Sequence, residues 1–293
     1  MAIVSFCKKK ICQNAVELIS INKKMTSEHP KNYRHRVVVK AEREIAYESP
    51  DHLYPWGTKR DNSRNRRFNR KLYALYPGFK DPMKVLDLGC SGGGFVKDCI
   101  DDGYLAVGLE GSDYSKIHRR AEWALIPDFL FTCDITCKFE IFLDAGTLQS
   151  PIEFDVVTMW EVFEHIADTD IEKVALNVRK HLKDTGIWVV SISPNDEDFE
   201  GIKLHLSVHP KEWWIEKLKK FGFIHMESYV QYFNTQFIRG PKYGAEGTFH
   251  LVLSHSPDKA PKIPKESFFK RIMDRWIASK AQKFLKLLVT GEK

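Results

Sequence analysis

Residues 83–96, MKVLDLGCSGGGFV, constrain the fold more than any other stretch of the chain. A short apolar run (Val85, Leu86, Leu88) carries Asp87 and breaks into Gly89-Cys90-Ser91-Gly92-Gly93-Gly94, after which Phe95 and Val96 open a helical pattern. A buried strand that turns sharply into a helix through glycines brings a ligand against bare backbone, because glycine reaches positive φ and has no Cβ to block close approach. Many nucleotide-binding folds use such a turn, so its weight depends on the segments downstream of it in the chain. Four more strand patterns lie there, each ending in polar residues. Tyr104–Leu109 ends at Glu110, Phe129–Thr132 at Asp134, Phe154–Trp160 at Glu161-Val162-Phe163-Glu164-His165, and Gly186–Ile192 at Ser193-Pro194-Asn195. Ligands of open α/β sheets bind at that edge, and an acid about 20 residues past the glycine turn is placed to accept hydrogen bonds from ribose hydroxyls.

With those segments in order, residues 83–255 resemble a class I S-adenosylmethionine-dependent methyltransferase. VLDLGCSGGGF is similar to the family's first motif, Glu110 to its ribose-binding acid, and Cys133-Asp134-Ile135 to its adenine-contacting segment. FDVVTMWEVFEHI resembles the fourth-strand motif of the branch that ends this strand in E-x-x-E-H. The resemblance implies a Rossmann-like three-layer α/β sandwich around a seven-stranded, mostly parallel sheet with a C-terminal antiparallel hairpin. Its arms are expected at 223–230 and 248–253. The implied cofactor is S-adenosylmethionine, with S-adenosylhomocysteine as product. Contacts to it are implied at Asp87, Gly89, Cys90, Ser91, Gly93, Glu110, Gly111, Ser112, Asp134, Ile135, Trp160 and Glu161. The family writes G-x-G-x-G where this chain has Ser91 in the middle, and the serine hydroxyl is expected to meet the methionine part of the cofactor. A nicotinamide dehydrogenase would instead want G-x-G-x-x-G and a second mononucleotide half.

Only one β/α alternation is visible in 293 residues, 43% of them hydrophobic, so one domain with extensions is expected. The boundaries fall at 1–82, 83–256 and 257–293. Charge divides along them: 18 Lys/Arg against 8 Asp/Glu, then 17 against 27, then 10 against 4. Two basic extensions flanking an acidic domain either meet an anionic partner, such as nucleic acid or a phospholipid surface, or fold back on the domain. No run approaches the ~18 apolar residues of a spanning helix. The amino terminus, with Lys8, Lys9 and Lys10 amid its apolar residues, lacks the pattern of a secretory signal. The cysteines (Cys7, Cys12, Cys90, Cys99, Cys133, Cys137) lack zinc spacing and read as reduced thiols. A cytoplasmic protein is expected. The tail 267–289 reads as a basic amphipathic helix that packs on its own domain or a second subunit, or makes peripheral contact with an anionic membrane through 265–289.

The aromatic and basic segment 52–69 is expected to shape the site, with Trp56, Arg60, Asn62 and Arg64 as substrate candidates, since guanidinium forks pair anions and Trp56 offers a flat face. A hydroxyl acceptor needs its proton removed, which makes His165, His205 and His209, with Glu164 beside the first, the catalytic candidates. If Glu161, Glu164 and His165 form one helical turn they share a face, and with His205 they resemble the metal tetrad of small-RNA 3′-terminal 2′-O-methyltransferases. Metal-free methyltransferases of quinones, sugars and polyketides show the same E-x-x-E-H, followed by a later histidine ahead of a segment like Glu212-Trp213-Trp214. The leading expectation is therefore metal-free O-methylation of a small-molecule, sugar or carrier-linked glycan acceptor. A metal-dependent RNA ribose methyltransferase and a non-catalytic scaffold of the same fold stand as alternatives, and the oligomeric state is open.

Overall fold

Runs that are apolar at every position, rather than at alternate ones, become strands covered on both faces. The computed structural model describes residues 36–78, 82–144, 146, 148–240 and 244–277, together with 279, 281, 282, 285 and 288. β1 (Arg36–Ala41) comes first, followed by β2 (Lys84–Leu88), β3 (Leu105–Glu110) and β4 (Leu130–Thr132). β5 (Phe139–Asp144) and β6 (Gln149–Pro151) join β1 in a small antiparallel sheet. β7 (Phe154–Trp160) and β8 (Leu182–Ile192) come next, then the hairpin β9 (Asp198–Phe199) and β10 (Ile202–Lys203), and finally β11 (Ile224–His225) and β12 (Phe249–Ser254).

The main sheet is seven-stranded in the order β11-β12-β8-β7-β2-β3-β4. The five strands from β8 to β4 are parallel, and β12 and β11 close the edge antiparallel. Every residue of β3 and β7 is buried, as expected for strands sandwiched between helices. The chain builds outward from β2 through β3 to β4, then crosses to β7 and β8 on the other side. The β2/β7 boundary is therefore a topological switch point, where the carboxyl ends of the strands splay apart and leave a crevice. The expected α/β sandwich with its antiparallel closing pair is present.

The helix Arg66–Leu75 carries the N-terminal part of the chain into the core. Asn65 caps it by accepting from the Arg67 N–H at 3.1 Å, and the same side chain donates to the Gln236 and Phe237 carbonyls at 2.8 and 3.1 Å. Phe68 is fully buried, edge-on to Trp160 with ring centroids 5.0 Å apart and 5.0 Å from Phe233. Burying such a ring is worth about 2–3 kcal/mol, so this helix is part of the folded domain.

Three expectations change in detail. Only Ile224–His225 of the arm 223–230 pairs with β12, and Glu227–Phe233 is helical. Met226, Tyr229, Tyr232 and Phe233 are the buried residues there, a helical rather than an alternating spacing. β8 begins at Leu182 instead of Gly186. In the tail, Phe268–Trp276 is helical, Ile277 leaves the helix, and Ala281, Gln282, Leu285 and Leu288 are helical again, while several other positions of the expected stretch 267–289 lie outside the described residues.

Candidate active site

The glycine turn is built for contact. Gly89 has φ +73°, and a Cβ there would overlap Val162 Cγ2. Gly93, at φ +82°, caps the helix Gly94–Asp101, and a Cβ on it would meet Leu130 Cδ1 at 2.7 Å. Ser91 sits at φ +46°, a left-handed conformation that costs a non-glycine residue roughly 1–2 kcal/mol. Surrounding bonds hold it there. Its N–H donates to Glu110 Oε2 at 2.6 Å, its carbonyl accepts from Trp123 Nε1 at 2.7 Å, and its hydroxyl donates to the Asp61 carbonyl at 3.0 Å. The hydroxyl thus fastens the 58–61 segment over the turn.

A cleft of about 1050 Å³ opens at the carboxyl edge of the parallel strands. Gly89, Ser91, Glu110, Gly111, Asp134, Ile135, Trp160 and Glu161 all line it. Glu110 is buried at the tip of β3 and accepts from Ser91 N and, at 3.2 Å, from Ser112 N. Burial, with Asp51 nearby, pushes its pKa up to about 7. Asp134 accepts from Thr136 N at 2.9 Å and from the Thr136 hydroxyl at 2.6 Å, and lies 3.5 Å from Arg43. Asp87 and Cys90 lie beneath the cleft. Thr158 Oγ1 donates to Asp87 at 2.6 Å, burial raises the Asp87 pKa to about 8, and a Cβ on Gly108 would meet Cys90 Sγ at 2.8 Å.

The E-x-x-E-H residues do not share a helical face. Glu161 has φ +53°, and only Phe163–His165 forms a short 3-10 turn. The three side chains diverge. Glu161 Oε2 receives the Arg239 guanidinium at 2.8 Å, while its Oε1 accepts from Ala245 N at 3.0 Å and Thr248 Oγ1 at 2.9 Å. Arg239 also reaches Asp61 at 3.3 Å, so one network ties the segment around residue 61 to the end of β7 and the loop before β12. Glu164 is fully buried. Its Oε1 accepts from Ser193 N at 2.9 Å, its Oε2 has no partner among the described residues, and burial raises its pKa to about 7.

The Glu164 carbonyl accepts from Leu206 N and Ser207 N at 2.6 and 3.1 Å, which stitches the 204–207 segment alongside His165. His165 and His205 meet edge to face, ring centroids 4.8 Å apart. His165 Nδ1 lies 3.0 Å from the Leu204 carbonyl, and His205 Nδ1 lies 2.6 Å from the Asn195 carbonyl. A carbonyl only accepts, so each ring carries its proton on Nδ1, and neutral His165 presents a bare Nε2. Burial opposes charge on His165, but Asp51, 3.5 Å away, and Glu164 outweigh it and raise its pKa. Burial lowers the pKa of His205, with His165 adding to the effect, and Glu197 lies 3.2 Å from its Nε2.

The remaining candidates are dispersed. His209 lies on Trp213, ring centroids 3.6 Å apart, bonded to Asp168 at 2.9 Å, and is not among the residues lining the cleft. Trp56 and Arg60 do line it, with the guanidinium 3.2 Å above the Trp56 ring and Tyr54 stacked on Phe199 of β9 at 4.1 Å beside them. Asn62 and Arg64 instead press against the glycine turn and pair with Glu122. Asp51, Arg239, Glu197 and Phe199 were not singled out from sequence, because they carry no periodicity or motif and act through contacts between distant segments.

A family model described as a methyltransferase domain matches residues 61–238. The ubiquinone biosynthesis O-methyltransferase of Bartonella quintana is 27% identical over 128 residues, which is 42% of this chain and 46% of that protein. The protein of the same name from Brucella anthropi is 33% identical over 109 residues, 36% of this chain and 39% of that protein. The chain thus spans less than half the length of these curated relatives. Among solved structures, 1,6-didemethyltoxoflavin-N1-methyltransferase of Burkholderia thailandensis aligns with a TM-score of 0.47 at 14% identity, over 77% of this chain and 97% of that one.

Proposed function

The chain belongs to the methyltransferase-domain family, and from that premise we propose that it methylates a hydroxyl of a small-molecule acceptor, using S-adenosylmethionine as donor and His165 as base. Bound in the cleft, S-adenosylmethionine would supply a methyl group made electrophilic by its sulfonium. The residues fit that molecule. Glu110 offers a buried carboxylate for ribose hydroxyls, Asp134 and Ile135 would meet adenine as the motif resemblance implies, and Gly89, Ser91 and Trp160 line the same cleft.

The observation that carries the reading is the orientation of His165. Its Nδ1–H is committed to the Leu204 carbonyl, leaving Nε2 as the lone pair available to an acceptor hydroxyl. As proton transfer charges the ring, Asp51 and the Glu164 carboxylate stabilise the imidazolium. The fastened 58–61 segment and the Glu161–Arg239–Asp61 network order the cleft walls, and positioning of this kind supplies much of the acceleration in a transfer between two bound reactants. The Bartonella and Brucella relatives, named for an O-methyl transfer in ubiquinone biosynthesis, favour a small hydroxyl acceptor over RNA. Sugar and carrier-linked glycan hydroxyls belong to the same chemical class.

A second reading rests on one observation: Glu164, His165 and His205 each bring a ligand atom within 4.8 Å of the others. These three, without Glu161, are a donor set suited to a divalent cation that would orient an acceptor's oxygens. Transfer of labelled methyl from S-adenosylmethionine into a fractionated extract, with and without EDTA, separates the readings. Label in the small-molecule fraction despite EDTA supports the first, and loss of transfer in EDTA with rescue by Mg2+ or Zn2+ supports the second. His165→Ala should keep calorimetric cofactor binding and lose turnover, and full turnover in that variant sinks the assignment of the base.

A further inference from the structure

The helix Phe268–Trp276 is mounted inside out. At roughly 100° per residue, Phe268, Phe269, Ile272, Met273 and Trp276 fall within one arc of about 140°, with Asp274 opposite. Such a stripe ordinarily faces the core. Here the polar side faces the domain. Asp274 meets the buried Lys71 ammonium at 3.0 Å, and its carbonyl accepts from Thr235 Oγ1 at 3.1 Å. Arg275 donates to Asn234 Oδ1 at 3.3 Å, and Glu266, just ahead of the helix, holds Lys71 at 2.7 Å. The apolar arc faces solvent: Phe268 and Phe269 are 79% and 72% exposed, Ile272 and Trp276 45% and 41%.

Basic side chains border that arc. Lys270 lies on one flank and Arg271 and Arg275 on the other, with Lys262 and Lys265 exposed in the approach to the helix. Glu266 pairs with both Lys71 and Lys270, the latter at 2.9 Å, and Asp274 pairs with Lys71, so the positive charge beside the arc rests chiefly on Arg271, Arg275, Lys262 and Lys265. We propose that this helix is a docking surface for an anionic lipid bilayer, its aromatic arc entering the headgroup–acyl boundary while the flanking Lys and Arg meet lipid phosphates. Charge complementarity selects that occupant. An isologous second copy would set the two rows of like charge against each other, whereas an anionic leaflet neutralises them. Neither the acceptor's identity nor the role of His165 bears on this surface.

The test is flotation of the full chain with phosphatidylcholine vesicles and with vesicles of phosphatidylcholine and phosphatidylglycerol. Association should require phosphatidylglycerol and weaken with salt. Phe268→Ser with Phe269→Ser, both exposed and therefore tolerated by the fold, should cut association about tenfold or more with the thermal midpoint unchanged. Lys265→Gln with Arg271→Gln should cut it about 25-fold, roughly fivefold per charge. Absence of flotation, or flotation indifferent to both variants, overturns the proposal. So does concentration-dependent dimerisation in sedimentation velocity that the serine variant abolishes, since the face would then belong to a second copy.

Discussion

Asp87→Asn isolates the energetic cost of an acid beneath the cofactor turn. Asp87 is fully enclosed at the end of β2, opposite Thr158 of β7 in register, and its pKa is raised from 3.8 to about 8, chiefly by burial. The folded state therefore holds a proton that the unfolded chain releases above about pH 4. The sign comes from linkage: the stability this residue contributes is fully present below the unfolded pKa and is lost as pH rises toward 8. At pH 7 the loss is about three pKa units, or roughly 4 kcal/mol. Asparagine is close in shape to the protonated acid and keeps an acceptor for the Thr158 hydroxyl, but it does not titrate. If its amide lacks an acceptor, the cost of about 1–3 kcal/mol is the same at every pH. It moves the offset between the two proteins and leaves the slope alone. Urea unfolding of both proteins from pH 4.5 to 8 should show their difference shifting in favour of Asp87→Asn by roughly 3–4 kcal/mol. Because Glu110 and Glu164 titrate in both proteins, they largely cancel in that difference. A gap that stays constant across the range refutes the reasoning, since Asp87 would then be ionised throughout.

Gly89→Ala combines the left-handed strain of about 1–2 kcal/mol with overpacking of about 1–3 kcal/mol against Val162. Denaturant unfolding should show a loss near 3 kcal/mol, and adding Val162→Ala should recover the packing part alone. Arg239→Ala removes the charge-assisted bonds to Glu161, worth about 2 kcal/mol. It should lower the thermal midpoint by roughly 4–8 °C and weaken calorimetric binding of S-adenosylmethionine, and unchanged binding would separate the network from the cleft. Lys71→Met takes the cation from between Glu266 and Asp274, a break of a buried pair that costs about 3–5 kcal/mol. A loss below about 1 kcal/mol would mean that this junction behaves like an exposed ion pair.

The parallel part of the sheet was legible because its physics is local. β2, β3 and β7 are covered on both faces, so their apolar runs are nearly continuous; β3 and β7 end at residues that line the cleft, and β2 ends one residue before Gly89, which does. The small sheet of β1, β5 and β6 left a fainter trace. Phe139 and Ile141 are buried while Glu140 between them is exposed, an alternation only three residues long. The hairpin β9–β10 is signalled by little more than Glu200-Gly201, both at positive φ, because its strands are two residues each. At 226–233 a genuine helical spacing comes directly after a short strand, and reading the two as one element imposed the wrong period.

The site was legible where a residue's place on the sheet determines its role and illegible where a single dihedral does. Spacing alone puts Glu161, Glu164 and His165 on one helical face. Glu161 at φ +53° breaks that face, and each side chain then takes a separate partner. Glu161 turns to Arg239 and Thr248, Glu164 to the Ser193 N–H, and His165 to Leu204 and Asp51. A non-glycine residue in that conformation persists only where its surroundings over-determine it, and the Glu161 N–H, bonded to both Ser191 O and Ser191 Oγ at 3.0 Å, supplies part of that constraint. The consequence reaches the base. Asp51 lies on the helix Pro50–Leu53, in a segment with no motif of its own, yet among the charges around His165 it does most to raise the pKa of that ring. Moving that helix by a few ångströms would lower the proton affinity of His165 without touching its ring. The N-terminal segment is therefore coupled to the chemistry through electrostatics, and Asp51→Asn should shift the pH profile of turnover, measured at saturating S-adenosylmethionine because Asp51 also raises the Glu110 pKa, to lower pH. A profile that stays in place would leave Glu164 as the group that sets the basicity of His165.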